Sequence, residues 1–305
     1  MLRLIITMFI HLLPFALHAQ GCSDAGFCTV SNSSPEPHVA DSAFANCVKV
    51  SGSIAQGEQK TTVCMIQLEY LHVFKNHSIA ELKIPYYVAL GNLGNYGGIS
   101  DPILTYTQVF ALGKFTLNSA IGTRIGTGRA DNTTREGVPL PMAYQRSLAT
   151  TDLILSVSTG WGKYFSFGAG FQQPVVQYNN NGYLAYSGIM GSRHYNEYFS
   201  SKSLKRKGDI LLRADLNVAM KRLRLSVGTL AIYHLGKDKA RGQNGEVYAI
   251  NYSEGLTLNL TAHAGYSAGQ FAFHALVAGP VIVRSNRPDG LTRSWILSCG
   301  TAYRL

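Results

Sequence analysis

Between Leu256 and Tyr266 every second residue is apolar. Leu256, Leu258, Leu260, Ala262, Ala264 and Tyr266 alternate with Thr257, Asn259, Thr261, His263 and Gly265. A strand sends successive side chains to opposite faces, whereas a helix would sort them at a period of about 3.6. The same sorting sets Ile210, Leu212, Ala214, Leu216 and Val218 against Arg213, Asp215 and Asn217. It recurs in Leu223, Leu225, Val227, Ala231, Tyr233 and Leu235, opposite Arg224, Ser226, Gly228 and His234, and in Trp295, Leu297, Cys299, Tyr303 and Leu305. Ala80 to Val88, Leu153 to Trp161 and Phe165 to Phe171 alternate in the same way. Such segments form strands with one apolar and one polar face.

The pattern predicts strands at 43–53, 62–74, 78–90, 101–112, 114–126, 148–160, 162–174, 208–220, 222–235, 253–266, 269–282 and 291–305. These exceed the usual soluble strand of about five or six residues. Tight joints at 75–77, 113, 161–162, 221 and 267–268 alternate with longer connections at 54–61, 91–100, 127–147, 175–207, 236–252 and 283–290. A soluble sandwich gives no reason for such regularity. Outer-membrane barrels do, with short periplasmic turns and long external loops. The expected fold is therefore all-β, a single antiparallel transmembrane β-barrel of about twelve strands. Tyr266, Phe271, Phe273, Trp161, Phe165, Trp295 and Tyr303 sit near strand ends on the apolar face, where interfacial girdles belong.

The first residues agree with export from a Gram-negative cytoplasm. Arg3, an apolar stretch from Leu4 to Leu17 and the small Ala19 read as a signal peptide over 1–19, the other reading being a lipoprotein signal ending at Cys22. Residues 20–42 form an N-terminal extension and expected small plug, followed by the barrel at 43–305. Charged residues are 14% of the chain, and the mean hydropathy is near zero. A chain with half of each strand toward lipid and half toward a polar lumen has that mixture. Disulfides are permitted in this compartment. Cys22 with Cys28 would close a local loop, and Cys47 with Cys64 would face each other across a first hairpin, leaving Cys299 over.

The inward face is expected to carry Glu69, Glu81, Lys83, Arg124, Arg213, Asp215, Arg224, His263 and His274. They are read either as lumen groups satisfied by one another or as a constriction, and their mixed signs oppose strong ion selection. The net charge of +10 concentrates in the external loops: Arg193, Lys202, Lys205, Arg206, Lys207, Lys237, Lys239, Arg241, Arg284, Arg287 and Arg293. On an outer surface these would meet lipopolysaccharide phosphate. The other partners expected are outer-membrane lipid, the barrel-assembly machinery, through the terminal Tyr303 and Leu305, and a small-molecule solute. Nucleic acid is not expected, nor is a cofactor or metal. No HExxH, GxSxG or phosphate loop is present, so catalysis is not expected.

The segment Gly97-Gly98-Ile99-Ser100-Asp101-Pro102-Ile103-Leu104 resembles a turn of the transporter family named for the MetA pathway of phenol degradation, with Ser100 where that family usually has Gly. Gln20-Gly21-Cys22-Ser23-Asp24-Ala25-Gly26-Phe27-Cys28 and Ser203-Leu204-Lys205-Arg206-Lys207-Gly208-Asp209 are similar to segments of such barrels. The resemblance implies an outer-membrane channel akin to the fatty-acid and aromatic-hydrocarbon transporters. The expected function is admission of small hydrophobic solutes without direct energy coupling. The alternative is a structural or surface-interaction barrel with a blocked lumen.

Overall fold

The computed structural model describes residues 46–76, 78–112, 115–185, 193–290 and 294–305. The leader at 1–19, the extension at 20–42, the Cys22–Cys28 pairing, Arg293 and the side chain of Arg193 lie outside what it describes. The strands are β1 (Asn46–Gln56), β2 (Thr62–Val73), β3 (Ser78–Gly91), β4 (Gly94–Ile99), β5 (Ile103–Leu112), β6 (Phe115–Arg124), β7 (Thr150–Trp161) and β8 (Phe165–Gln177). They continue as β9 (Asp209–Met220), β10 (Leu223–His234), β11 (Lys239–Arg241), β12 (Val247–Ala249), β13 (Gly255–Ala268), β14 (Phe271–Ile282) and β15 (Trp295–Arg304).

Each wall strand pairs antiparallel with its chain neighbour, and β1 pairs with β15 to close the sheet. The second edge of β3 is shared: β5 lies along Ser78–Lys83 and β4 along Tyr86–Gly91. β4 and β5 are thus one stave interrupted at Ser100–Pro102, and the closed wall has twelve staves. Pro102 has no N–H for a ladder bond, which suits it to the interruption. An even count brings both ends of the barrel chain together, and Leu305 N donates to Asn46 O at 3.1 Å.

Alternation along each stave separates two environments. Ile66, Leu212, Val277 and Trp161 point outward and are 54–62% exposed. Glu69, Lys83, Gln172 and Asn259 point inward and are buried. A band of exposed aliphatic residues around a closed sheet is tolerable only in lipid, where every backbone polar group must find its partner within the wall. Phe271 packs against Tyr303 at the end that carries the short turns, with ring centroids 5.1 Å apart. That end is periplasmic by the turn asymmetry of such barrels.

The first strand is described from Asn46 onward, and its seam with β15 runs from Cys47↔Arg304 to Gln56↔Trp295. Its register with β2 overturns the Cys47–Cys64 pairing. The β1–β2 hairpin turns at Gly57–Thr61, which places Cys47 opposite Leu71 and Cys64 opposite Ile54. Cys47 shares the inward face with Lys49, while Cys64 shares the outward face with Ile66 and Leu68. Two glycines make room inside. A Cβ on Gly228 would lie 2.2 Å from Asp215 Oδ1, and one on Gly300 would lie 2.3 Å from the His274 ring.

Candidate functional site: the lumen in three layers

All nine residues assigned to the inward face do face inward, but the structure divides them. Near the periplasmic end, Arg213 Nε donates to Asp215 Oδ2 at 2.7 Å, and Arg213 Nη2 lies 2.8 Å from His263 Nε2. A guanidinium only donates, so that ring nitrogen accepts. Arg224 and His274 join them around a cavity of about 420 Å³, also lined by Lys49, Lys163, Asn118, Ser166 and Ser226. Beside it run two ion pairs on β1–β3: Lys49 with Glu69 at 3.5 Å and Lys83 with Glu81 at 2.9 Å. Gln67 donates to Glu69 and Thr105 to Glu81. Arg124 stands apart, higher in the barrel, paired with Asp152 at 2.5 Å.

Above the cavity, apolar side chains stand among the polar ones, with Ile103 beside Lys83, Ile154 beside Gln172 and Leu230 beside Asn259. Ile103, Ile154, Leu211, Leu230, Ile232 and Ala278, from β5, β7, β9, β10 and β14, all point inward. They pack into one cluster with Leu276 and Ile296. Each is less than 5% exposed. These side chains shield one another from water at this height. Sequence reasoning missed this layer although a signal exists. Leu153-Ile154-Leu155, Ile210-Leu211-Leu212 and Leu230-Ala231-Ile232 are uninterrupted apolar runs, the mark of strands covered on both faces.

The external third is filled by loops. Loop 178–208 brings Arg206 between Asp209 at 3.4 Å and Asp289 at 3.5 Å. Arg284 holds Asp289 at 2.7 Å and donates to Ser253 O. His234 spans Asp209 and Asp238 at 2.6 and 2.8 Å, so both ring nitrogens donate, as in the imidazolium. Among the described residues, three carboxylates here meet two guanidiniums and one imidazolium. Arg206 and Arg284 are therefore not part of a basic surface as expected; Asp209 and Asp289 draw them inward. Around Arg284, burial opposes the charge, but Asp289, Asp209 and Asp238 outweigh it and raise the guanidinium's proton affinity. Lys205, Lys207, Lys237, Lys239 and Arg241 remain exposed. Lys202 reaches Gly242 O at 3.3 Å, and Arg287 is half-buried beside Glu58.

Over β2 and β3 the loops add a tyrosine cluster in which Tyr144, Tyr183, Tyr195 and Tyr198 are buried with Leu140 and Ala143. The Tyr144 and Tyr198 hydroxyls lie 3.1 Å apart, and Tyr198 also meets Thr61 at 3.0 Å. Glu58 accepts from Phe199 N at 2.8 Å. Burial pushes its carboxyl up to about 8, against the opposing pull of that N–H and of Arg287. Among the described residues, no group of three or more His, Cys, Asp or Glu is arranged to hold a metal ion.

The fold also has counterparts among solved structures. Over 86% of this chain and 96% of the other, it is similar to the COG4313 outer membrane channel from Pseudomonas putida F1, with a TM-score of 0.60 and 12% identity. Over 85% of this chain and 100% of the other, it is similar to the NanC porin, with a TM-score of 0.51 and 12% identity. The chain is an outer-membrane β-barrel. The likeness at such identity is one of fold, and the barrel's solute has to be argued from its own lumen. No family model matches the chain, and no curated protein matches it.

Proposed function

We propose that the barrel is an outer-membrane channel admitting small hydrophobic solutes, without direct energy coupling and without catalysis. The observation that carries this reading is the apolar layer around Ile154 and Leu230. A narrow apolar constriction expels water and opposes ions, whose dehydration it cannot offset, while an apolar molecule loses little by entering. The resemblance of the Gly97–Leu104 segment to the phenol-pathway transporters supports the same solute class. The exposed Lys205, Lys207, Lys237, Lys239 and Arg241 suit lipopolysaccharide phosphate. The outward Tyr303 and Leu305 suit recognition by the assembly machinery.

A second reading, a structural or surface-interaction barrel, draws on the buried ion network and tyrosine cluster that the external loops pack into the barrel. Planar-bilayer recording of the folded protein separates the two. Absence of steady conductance together with saturable binding of toluene supports hydrophobic passage. Ohmic conductance would make the barrel an aqueous porin. Silence in both assays leaves the structural reading.

A further inference from the structure

We infer that the outer rim of the wall above β9 and β10 is a docking site for a phosphorylated, acylated glycolipid of the outer leaflet, with a phosphate seated between Lys205 and Lys239. This site narrows the lipopolysaccharide contact proposed above, on which it rests, to one arc of the barrel. Side-chain alternation decides which way the basic residues face. Lys205 and Lys207 alternate with buried Leu204 and Arg206, and Lys237, Lys239 and Arg241 alternate with buried Asp238 and Ala240. Arg206 and Asp238 point into the ion network inside the barrel. Their exposed neighbours therefore point away from it, toward the surroundings of the wall. Below them the same outer face is apolar. Ile210 and Leu212 on β9, Tyr233 on β10 and Leu235 just past its end are 42–58% exposed. Going outward along either strand, the lipid face gives way directly to cations. A lipid that carries phosphates at the head of its acyl chains has the same order of groups.

The backbone brings the cations together. Lys205 and Lys239 stand directly opposite in an antiparallel bridge and exchange both backbone hydrogen bonds, at 2.8 and 2.9 Å. Cβ atoms so placed are about 5 Å apart, and like charges on them repel. An anion seated between the two ammoniums replaces that repulsion with two attractions. Arg241 lies two residues beyond Lys239 on the same face of β11, and its planar fork matches phosphate oxygens. On the other side of β11, β12 sets Val247 opposite Arg241, which adds exposed apolar surface. The neighbouring carboxylates lie to the side: Glu254 is 4.0 Å from Lys237, and Glu246 folds over Gly242 at the tip of the hairpin.

The test is native mass spectrometry of the full folded chain in detergent micelles, titrated with diphosphoryl lipid A and, separately, with phosphatidylglycerol. Lipid A is expected to bind at least about tenfold more tightly than phosphatidylglycerol, which has one phosphate. K205Q/K239Q is expected to weaken lipid A binding about tenfold. K60Q/R135Q removes the same charge from exposed positions in the loops after β1 and β6, and should leave binding unchanged. Heat-modifiable gel migration shows that each variant has closed its barrel. Equal weakening by the two double variants would mean diffuse attraction to the whole rim and would overturn the site while lipopolysaccharide contact stands. Unchanged binding to K205Q/K239Q would do the same. Lipid A no tighter than phosphatidylglycerol would overturn the choice of a glycolipid. No lipid A binding to the native chain would remove both the site and the contact it rests on.

Discussion

Ser147 donates its hydroxyl to Asp101 Oδ1 at 2.5 Å, fastening the end of loop 125–149 to the interruption between β4 and β5. The same carboxylate accepts from Thr127 N at 3.0 Å and Leu148 N at 3.2 Å, so one side chain holds both ends of the loop. Hydrogen bonds to a charged group contribute about 1.5–3 kcal/mol each. Asp101→Ala should release the loop while the wall stays closed. Limited trypsinolysis of the folded protein should then cut at Arg129, Arg135 or Arg146, where the native chain resists. An unchanged digestion pattern would refute the anchoring role.

The apolar layer predicts a gain of conductance. Ile154→Asn places an amide among Ile103, Leu211 and Leu230 and allows water to bridge the constriction. Single-channel steps should appear where the native barrel is silent. Ile154→Ala should instead cost about 2–4 kcal/mol of stability, as large-to-small changes at packed sites do, measured by urea unfolding in micelles. Equal conductance of native and Asn variants would remove the layer as the gate.

Buried and exposed basic residues of one loop should behave oppositely. Asp289→Asn leaves Arg206 and Arg284 short of a counter-charge in a closed network. Breaking such a pair from one side costs about 3–5 kcal/mol. Lys205→Gln and Lys207→Gln, at exposed positions on either side of Arg206, should change stability by less than about 0.5 kcal/mol. Heat-modifiable gel migration and unfolding midpoints would rank the three, and a mild Asp289→Asn would contradict the network's structural role.

Glu58 gives a pH dependence with a defined sign. Its carboxyl is raised from 4.5 to about 8, so between those values the folded state holds a proton the unfolded state has lost. Stability must then fall as pH rises through that window and level off above it. Glu58→Gln should flatten the decline. Thermal midpoints at pH 5, 7 and 9 in native and variant chains would show it, and parallel curves would mean that Glu58 does not contribute.

The register forbids a Cys47–Cys64 bridge. Peptide mapping under non-reducing conditions should recover no peptide linking the two. Cys64→Ala, on the lipid face, should leave the unfolding midpoint unchanged.

Alternation made the wall legible, because a period of two survives in each strand and one face has to meet lipid. The register of the closing seam was less so, because the pairing of β1 with β15 joins residues far apart in the chain. The inward direction of Arg213, Asp215 and His263 was readable from their neighbours, but their joint placement with Lys163 was not, since a turn residue has no face to read. Arg206 shows the same limit in a loop. Lys205, Arg206 and Lys207 look alike in sequence, and only Asp289, far along the chain, separates the buried one from the exposed pair. The apolar runs at 153–155, 210–212 and 230–232 carried real information that a search for alternation passes over.

The seam between β1 and β15 has a consequence for assembly. Its ten paired positions join the first and last staves, so the contact can form only after all intervening staves exist. Until then two rows of backbone amides lack partners, a state that hydrocarbon tolerates poorly. A partly built wall therefore has little standing of its own, and insertion is tied to completion. Cutting the chain before Trp295 would leave an open sheet and not a smaller barrel, because the missing stave is the one that turns a sheet with two edges into a cylinder with none.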